Sequence, residues 1–503
     1  MISIIQSATI IGVKSVPIQV EVSASNGLPQ ETIVGLADTV IRESKNRIKT
    51  AIKESNFNYP LRNYTINLAP ANIKKQGPTL DLAIAIGILQ ATKQIPEDDN
   101  SLFVGELSLN GQLQKLNGLI SILSNHSLCN KKKIFVPAAN YYDMMLINNP
   151  NVIPIHNLND INLYYQNKLI SKPLKRVPIT KKRPELDYSE VNGQSHAKRA
   201  LEIAVAGRHN ILLIGPPGSG KSMLMKRLNT ITPELSQKKS IESYNIQSLG
   251  VKQINEKPSL ICPYRSPHHS ISYAGMVGGG TNPKPGEISL AHHGILYLDE
   301  LAEFQRSVID ILRQPLEDKE IIISRATTSI KYPADFMLAA TMNPCPCGYY
   351  QDSGKDCRCS HYQIKKYWKK ISGPILDRID IIVQIPRLKS SDLIYDKNTQ
   401  KNEKSAIIYE RILKARAQQY ERYKQDKQNT EMTPKDIHHY CMLNTNDKKI
   451  LTKGIQSGKL SGRTLHKTLK IARTIADLEC SISIKTNHIL EALSYRLDPN
   501  FGN

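Results

Sequence analysis

A glycine-rich stretch around one lysine has the residue types that hold phosphate. Residues 215–222 read GPPGSGKS and match the spacing G-x-x-x-x-G-K-[ST] between an apolar run and a helical segment. Glycines let backbone N–H groups face phosphates, while Lys221 would reach the β- and γ-phosphates and Ser222 would ligate Mg²⁺. The alternative is a glycine-rich turn with a chance lysine. The context favours a site for ATP and Mg²⁺ formed by Gly215, Pro216, Pro217, Gly218, Ser219, Gly220, Lys221 and Ser222.

Polar side chains at the ends of two later apolar runs could complete a hydrolysis site. The run GILYLDE ends in Asp299 and Glu300, and MLAATMN ends in Asn343. Ligands bind at the carboxyl ends of strands in open α/β sheets. We expect Asp299 to hold Mg²⁺ through water, Glu300 to act as base toward the attacking water, and Asn343 to orient that water. Strand ends often carry solvated acids, so this prediction depends on the phosphate loop.

Two arginines are candidates for the positive charge that stabilises a phosphoryl-transfer transition state. Arg378 lies in SGPILDRIDI and Arg463 in LSGRTLHK. An arginine finger raises the rate by about 10³- to 10⁵-fold. Taken singly, each arginine is more often a surface ion-pair residue. We predict a catalytic role for both.

Four closely spaced cysteines form the pattern C-x-C-x9-C-x-C. They are Cys345, Cys347, Cys357 and Cys359. Four thiolates can bind tetrahedral Zn²⁺, which would stabilise a loop too short and polar for its own core. Free thiols are the alternative. We predict a structural zinc close to Asn343.

Two pairs of adjacent histidines also suggest metal ligands. They are His268–His269 and His292–His293. Adjacent side chains point to different sides of a regular strand or helix, so neither pair alone should chelate a metal. We expect structural roles for both pairs.

The elements that must position these residues fall into three parts. In residues 187–391, the runs HNILLIG, GILYLDE, DFMLAATMN and DIIVQIP lack polar alternation, which predicts an α/β domain with a buried parallel sheet. Residues 1–171 combine predicted strands and helices in an α+β domain. The basic, proline-rich stretch 172–186 is a predicted linker. Residues 392–503 carry only helical periodicity and predict a helical domain.

Composition and charge restrict the class of protein and its partners. The 503 residues are 40% hydrophobic and 22% charged, which excludes a disordered or fibrous chain. The net charge of +22 favours nucleic acid as a partner, although a solvated basic surface is the alternative. We see neither a membrane-spanning run nor a secretory signal, so we expect a cytoplasmic protein without a membrane partner.

Several long motifs resemble the magnesium-chelatase-like AAA+ ATPases, and among them the ComM (YifB) family. They are GLADTVIRESKNRIKTAI, GQSHAKRALEIAVAGRHNILLIGPPGSGKS, RSPHHSISYAGMVGGGTNPKPGEISLAHHGILYLDELAEF, LRQPLEDKEIIISRA, NPCPCGYY and SGPILDRID. The resemblance covers essentially the whole chain. It implies an AAA+ P-loop ATPase core with a helical lid, preceded by a Lon-protease-like domain of the ribosomal-S5-like fold.

The resemblance also implies an assembly and a function. ATP would lie between the subunits of a homo-hexameric ring, with Arg378 acting in trans and Arg463 serving as the sensor arginine of the lid. Gly193 and Gln194 resemble the segment that borders the adenine. The family is implicated in branch migration of DNA during natural transformation. The resemblance therefore implies a helicase-like motor that binds single-stranded and branched DNA and works with recombination proteins.

The segment SYAGMVGGGTNPKPG corresponds to family inserts that project toward the central pore. Flexible glycines would let it follow the nucleotide state, with Lys284 contacting a phosphate and Tyr273 stacking on a base. An ordered surface loop packed on the neighbouring subunit is the alternative.

The N-terminal part resembles the Lon protease domain without its catalytic dyad. The segments KKQGPTLDLAIAIGI and GQLQKLNGLISIL match those carrying the nucleophilic serine and the lysine of Lon, and they place Thr79 and Ile120 at these positions. Isoleucine cannot accept a proton, so we predict no peptidase activity. A nearby lysine such as Lys115 acting as the base is the alternative.

Two other functions stay open at the level of sequence. One is the ATPase motor subunit of a metal-chelatase-like complex, and the other is a protein-remodelling AAA+ factor. Stimulation of ATP hydrolysis by single-stranded DNA would favour the DNA motor over both.

Overall fold

The computed structural model describes residues 2–75, 77–130, 133–169, 185–250, 258–280, 283–324, 329–388, 402–456 and 460–496. Almost all of the predicted linker 172–186, and the predicted boundary at residue 392, lie outside these ranges. No helix within them is both long and apolar enough to cross a membrane.

The N-terminal part is an α+β unit built on one mixed sheet of seven strands. Its elements are β1 (Ile2–Ile11), β2 (Lys14–Ser25), β3 (Gln30–Val34), α1 (Thr39–Glu54), β4 (Asn63–Ala69), α2 (Asp81–Ala91), β5 (Ser101–Phe103), β6 (Glu106–Leu107), β7 (Leu113–Gln114), α3 (Leu119–Leu123), α4 (His126–Cys129), β8 (Lys133–Pro137), α5 (Tyr141–Ile147), β9 (Val152–Ile155) and α6 (Asn159–Tyr165). The strand order is β3-β4-β2-β1-β5-β8-β9. All eleven residues of α2 are buried, which explains its nearly continuous apolar sequence.

The middle part is a five-stranded sheet with helices around it. Its elements are α7 (Ser195–Gly207), β10 (Ile211–Ile214), α8 (Lys221–Lys226), α9 (Leu228–Ile231), α10 (Gln237–Ser248), β11 (Tyr264–Arg265), α11 (Tyr273–Val277), β12 (Gly278–Gly279), β13 (Lys284–Pro285), α12 (Glu287–Leu290), β14 (Ile295–Leu298), α13 (Arg306–Asp310), α14 (Arg313–Asp318), β15 (Glu320–Ser324), β16 (Ser329–Pro333), β17 (Met337–Met342), α15 (His361–Trp368), α16 (Gly373–Leu376) and β18 (Ile381–Gln384).

The strands of this sheet run in the order β11-β14-β17-β10-β18, and every neighbouring pair is parallel. Every residue of β10, β14 and β17 is buried. A parallel sheet covered on both faces buries both sides of each strand, so these strands need no polar residues. The predicted α/β fold and the parallel sheet are confirmed.

The C-terminal part contains only helices among its described residues. They are α17 (Ser405–Tyr423), α18 (Pro434–Tyr440), α19 (Thr445–Gln456), α20 (Gly462–Leu478) and α21 (Thr486–Ser494). Buried residues of α17 and α20 join those of α7, β10 and β18 in one apolar core. The helical part therefore packs directly on the sheet.

The N-terminal unit contacts the middle part through α3 and α10. Ile120, which the resemblance to Lon aligns with its lysine, is completely buried in a small cluster with Leu146 and Tyr244. Beside it, Ser121 donates a hydrogen bond to the side chain of Asn245 over 2.8 Å. Ile120 is therefore a packing position between the N-terminal unit and α10.

Candidate active site

The phosphate loop connects β10 to α8 at the carboxyl edge of the parallel sheet. Gly218 and Gly220 have φ angles of 79° and 87°, a region in which residues with a Cβ are strained. Lys221, the first residue of α8, donates hydrogen bonds to the carbonyl oxygens of Gly215 (2.6 Å) and Pro216 (2.8 Å). The loop thus folds around the lysine that the motif predicts.

The ends of β14 and β17 bring the other predicted polar residues to the same edge. A cavity of about 360 Å³ is lined by Pro217, Gly218, Ser219, Gly220, Lys221, Ser222, Met223, Asp299, Glu300, Thr341, Met342 and Asn343. Asn343 accepts a hydrogen bond from Lys221 over 3.3 Å. Parallel strands end at one edge, which is why residues far apart in sequence meet there. The structure therefore places Glu300, Asp299 and Asn343 beside the phosphate loop.

Asp299 and Ser222 form a pair of oxygen donors. The Ser222 hydroxyl lies 3.0 Å and 3.1 Å from the two carboxylate oxygens of Asp299. Burial raises the pKa of Asp299, but hydrogen bonds from Thr341 and other neighbours outweigh it and hold that pKa below its ordinary value. An ionised carboxylate beside a hydroxyl is a hard oxygen donor set, which fits Mg²⁺.

Glu300 faces the cavity from a strained backbone position. Its φ is 54°, and its side chain is exposed, whereas Asp299 is half-buried. The left-handed conformation breaks the strand after Asp299 and turns the next carboxylate away from it. The two adjacent acids therefore occupy different surroundings, as the different roles expected of them require.

Lys221 is an ammonium group in a partly desolvated position. Burial lowers its pKa to about 8, against the opposing attraction of Asp299 and Glu300. The charge of this group is therefore sensitive to phosphate placed beside it.

Gly193 and Gln194 lie next to the phosphate loop. Gln194 donates from its side-chain amide to the carbonyl oxygens of Pro386 (2.9 Å) and Ser219 (3.3 Å). Gly193 has a φ of 61°, which a residue with a side chain adopts only under strain. This placement agrees with a segment that borders the nucleotide.

Arg378 and Arg463 do not line this cavity. Arg378 precedes β18, and its carbonyl oxygen accepts a hydrogen bond from Asn210, which precedes β10, over 2.9 Å. It therefore lies at the amino edge of the sheet, opposite the phosphate loop. Arg463 is exposed at the start of α20. One turn later, Lys467 donates to the carbonyl oxygen of Ile379 over 3.0 Å. The two arginines thus lie on the same side of the sheet.

The guanidinium of Arg378 already has partners within the chain. It pairs with Glu317 and donates to the carbonyl oxygen of Pro374 over 2.7 Å. Any transfer of this arginine to a nucleotide must exchange the Glu317 carboxylate for phosphate.

The four predicted cysteines converge. All four sulfur atoms lie within 4.8 Å of one another, and Cys345 Sγ is 3.3 Å from Cys347 Sγ and 3.7 Å from Cys357 Sγ. A tetrahedron with zinc–sulfur bonds of about 2.3 Å has edges of about 3.8 Å. Two backbone N–H groups also point at sulfur, from Cys347 to Cys359 and from Tyr350 to Cys345. The cluster fits a zinc ion.

In each histidine pair the two rings lie close together. The rings of His292 and His293 lie 3.8 Å apart, and their Nε2 atoms are 3.9 Å and 2.7 Å from a carboxylate oxygen of Glu242. The rings of His268 and His269 are 4.0 Å apart. The prediction that adjacent side chains diverge is wrong. For His292 and His293 the reason is the φ of 61° at His293, because this left-handed conformation prevents the alternation of side chains that a regular strand has.

The contacts of His292 favour hydrogen bonding over metal ligation. Its Nδ1 accepts the backbone N–H of Asp335 over 3.0 Å. The proton of the neutral ring must then be on Nε2, which faces Glu242 and has no lone pair free for a metal. The pair joins α10 to the start of β14.

Tyr273 and Lys284 lie in a short helix and a short strand, and residues 281–282 between them are outside the described residues. Tyr273 begins α11 and is 47% exposed, and Lys284 is an exposed residue of β13, which pairs with β12. Lys284 also lines a cleft of about 270 Å³ that Thr79 and Lys115 line from the N-terminal unit. The alternative base Lys115 therefore lies near Thr79, and the absence of peptidase activity stays a prediction.

Sequence reasoning missed Thr341. Its hydroxyl donates to the Asp299 carboxylate and accepts the backbone N–H of Glu300 over 3.2 Å. Thr341 lies two residues before Asn343, so strand alternation places both on one face. That spacing was the signal available in the sequence.

Comparisons with known proteins agree along the whole chain. Three family models match: magnesium chelatase, subunit ChlI, over residues 187–393; subunit ChlI of magnesium chelatase over residues 20–140; and the C-terminal model of the same subunit over residues 402–496. The chain is 41% identical to the competence protein ComM of Haemophilus influenzae, with 98% of this chain and 97% of that protein covered.

Two further relatives extend the comparison. The protein YifB of Escherichia coli is also 41% identical, with 98% of this chain and 97% of that protein covered. The 38 kDa subunit of magnesium chelatase from Rhodobacter capsulatus is 27% identical over 33% of this chain and 52% of that subunit. The similarity to the chelatase subunit is thus lower and confined to part of the chain.

Proposed function

The chain belongs to the ComM (YifB) family of magnesium-chelatase-like AAA+ proteins, and from that premise we propose that it is an ATP-driven DNA motor. In this proposal it hydrolyses ATP, translocates on DNA and promotes branch migration during natural transformation. The observation that carries the ATPase part is that the phosphate loop, Asp299, Glu300 and Asn343 line one and the same cavity.

Each residue of the cavity has one proposed task. The N–H groups of the loop and Lys221 bind the β- and γ-phosphates, Glu300 accepts the proton of the attacking water, and Asn343 orients that water. Ser222 and Asp299 would hold Mg²⁺, which when bound offsets negative charge on the phosphates. Gly193 and Gln194 border the base.

We propose that the arginines act across a subunit boundary. Arg378 lies at the sheet edge opposite its own phosphate loop, and Arg463 is one turn from Lys467, which contacts that edge. Both therefore suit the nucleotide of a neighbouring subunit. A head-to-tail interface forms a ring when its rotation closes, and we propose a closed ring of six subunits. Binding at the neighbour's phosphates would release Arg378 from Glu317.

The proposal of a DNA substrate depends on relatives and on charge. The Haemophilus influenzae relative is named as a competence protein. The net charge of +22 favours a polyanionic partner, whereas a porphyrin does not require it. We propose that Tyr273 and Lys284 contact DNA, that recombination proteins are partners, and that the protein works in the cytoplasm.

We also propose that Cys345, Cys347, Cys357 and Cys359 hold a structural zinc ion. When bound, the ion would cross-link a loop that lacks a core of its own. We further propose that residues 1–171, 187–391 and 392–503 act as three domains, the first without peptidase activity.

The experiment that tests this function is ATP hydrolysis by the purified full chain with and without single-stranded DNA. We expect stimulation by DNA and ATP-dependent migration of a four-way junction. Glu300→Gln should bind ATP and abolish both activities, which controls for a contaminating ATPase. Hydrolysis that ignores DNA would contradict the motor and favour either a metal-chelatase-like motor or a protein-remodelling factor.

A further inference from the structure

The helix that follows the cysteine cluster has an exposed stripe of basic and aromatic residues. In α15, Ile364, Tyr367 and Trp368 are buried. Tyr362, Lys365, Lys366 and Lys369 are exposed and follow the spacing i, i+3, i+4, i+7. This spacing places the four on one helix face, opposite the apolar contacts. We call these four residues the α15 stripe.

The surface around the α15 stripe is strongly cationic. Arg358 and Lys355 of the cysteine loop and Lys370 after the helix are also exposed. Among the described residues, Lys370 alone of these six cations has an ion pair, with Glu303 over 3.6 Å. The nearby acids are fewer than the cations: Asp352 pairs with Arg387, Glu303 pairs with Lys370, and Asp356 is exposed. Unpaired cations at this density attract phosphates.

Tyr362 distinguishes this surface from an ordinary solvated lysine face. Its side chain is 73% exposed, next to Lys365 and Lys366 on the same face. Nucleic-acid-binding surfaces without sequence preference combine cations that follow the backbone with exposed aromatic rings on which bases stack. An acidic protein surface would pair with the lysines, but it would offer no base on which the Tyr362 ring could stack.

The stripe is held rigidly. Ser360 and Gln363 form a capping box at the start of α15. At its end, the Trp368 indole N–H donates to the carbonyl oxygen of Pro344 over 3.0 Å. The helix that carries the stripe is therefore already formed, so a ligand need not order its backbone.

The same contacts connect the stripe to the ATP cavity. Pro344, which Trp368 holds, directly follows Asn343. On the other side of the cysteine loop, Gly348 packs so closely on Pro217 of the phosphate loop that a Cβ there would lie 2.6 Å from the proline ring. A ligand that shifts α15 would therefore act on both Asn343 and the phosphate loop.

We propose that the α15 stripe binds the phosphodiester backbone of single-stranded nucleic acid, with Tyr362 stacking on a base. This surface is formed by other elements than α11, which carries Tyr273, and the β12–β13 hairpin, which carries Lys284, and the proposal rests on the DNA-motor function. It also supplies a physical route by which nucleic acid stimulates ATP hydrolysis, through Trp368, Pro344 and Asn343.

The test compares two triple variants of equal charge. Lys365→Ala, Lys366→Ala and Lys369→Ala together remove three exposed charges from the stripe. The control removes three exposed lysines of α19, by Lys448→Ala, Lys449→Ala and Lys453→Ala. Binding of a fluorescein-labelled oligothymidylate is measured by anisotropy at several salt concentrations. Each phosphate contact to a single strand contributes about 0.7 to the salt slope, so the stripe variant should lose about 2 units of slope.

The single tryptophan of the chain gives a local readout. Trp368 lies on the buried side of α15, and no other tryptophan exists to report from elsewhere. We expect oligothymidylate to change its emission in the wild type and in the α19 control, but not in the stripe variant. Tyr362→Ala should weaken binding several-fold, and Tyr362→Phe, which keeps the ring, should not.

The outcomes separate this proposal from the function on which it depends. If the wild type binds oligothymidylate and the two triple variants have equal salt slopes, the proposal for the α15 stripe is wrong. The DNA-motor proposal is then unaffected. Loss of ring assembly with unchanged binding in the stripe variant also overturns it, and assigns the surface to a neighbouring subunit. Failure of the wild type to bind any oligonucleotide overturns both proposals.

Discussion

At the scale of single residues, the charge of Lys221 is the property that nucleotide should change most. In the free chain, burial lowers the pKa of this ammonium to about 8 despite Asp299 and Glu300. A bound triphosphate adds negative charge beside it and favours the protonated form. Binding and protonation of Lys221 are therefore linked.

We expect ATP binding at about pH 8.5 to be accompanied by proton uptake, and the affinity to fall as the pH rises above about 8. Below about pH 7 the lysine is already charged, so its contribution becomes constant. The ATP phosphates, with a last pKa near 6, are already ionised at about pH 8.5. Calorimetry in two buffers of different ionisation enthalpy measures the uptake. Lys221→Arg stays charged and should show none; equal uptake in that variant would contradict the assignment.

Thr341 is a positioning residue whose hydroxyl serves two neighbours at once. Thr341→Val keeps the shape, but it leaves the Glu300 N–H without its acceptor and removes one of the hydrogen-bond donors to Asp299. We expect kcat to fall by about 10-fold, which corresponds to about 1.4 kcal/mol of lost positioning in the transition state. The Mg²⁺ concentration for half-maximal hydrolysis should rise, because Asp299 loses its support. Thr341→Ser should preserve both values, and wild-type Mg²⁺ dependence in the valine variant would exclude the role.

At the scale of elements, the cysteine loop is placed to support Asn343. Cys345 is completely buried two residues after Asn343, and Gly348 contacts the phosphate loop. The loop thus touches two sides of the ATP cavity without contributing a side chain to it. Loss of zinc from the cysteine loop should therefore affect turnover more than the affinity for nucleotide.

Cys357→Ser combined with Cys359→Ser should abolish zinc binding, lower the thermal unfolding temperature and reduce kcat, while the affinity for ATP changes little. Metal content, unfolding and nucleotide binding are measured on the same preparations. Cys480→Ser, which alters an exposed cysteine outside the cluster, is the matched control. A double variant that retains one zinc per chain would refute the proposed ligands.

At the scale of the whole molecule, the proposed role of Arg378 in trans would divide nucleotide binding and catalysis between two subunits. Lys221→Ala should fail to bind ATP, and Arg378→Ala should bind ATP without hydrolysing it. Mixing the two inactive proteins should restore hydrolysis, because an intact phosphate loop can then meet an intact arginine on its neighbour. Random assortment would make about a quarter of the interfaces active.

The mixing experiment has a clear negative result. Steady-state hydrolysis of the mixture is compared with each variant alone at the same total concentration. A mixture no more active than its components, although mixed rings form, would show that Arg378 does not act in trans. Rings should be verified by mass measurement with ATP bound.

Sequence alone determined the parts of this protein that depend on local spacing. The phosphate loop, the continuous apolar strands β10, β14 and β17, and the cysteine cluster all follow from residue types at short range, since backbone geometry relates near neighbours directly. The convergence of Asp299, Glu300 and Asn343 was also predictable, because parallel strands share a carboxyl edge.

Only the tertiary structure decided the features that depend on distant contacts. Thr341 joins two strands, His293 pairs with Glu242 because of one left-handed residue, and Arg378 is held away from its own phosphate loop. The link from α15 to Asn343 likewise depends on Trp368 meeting Pro344. Such contacts depend on how separate elements pack, and local residue spacing does not specify packing.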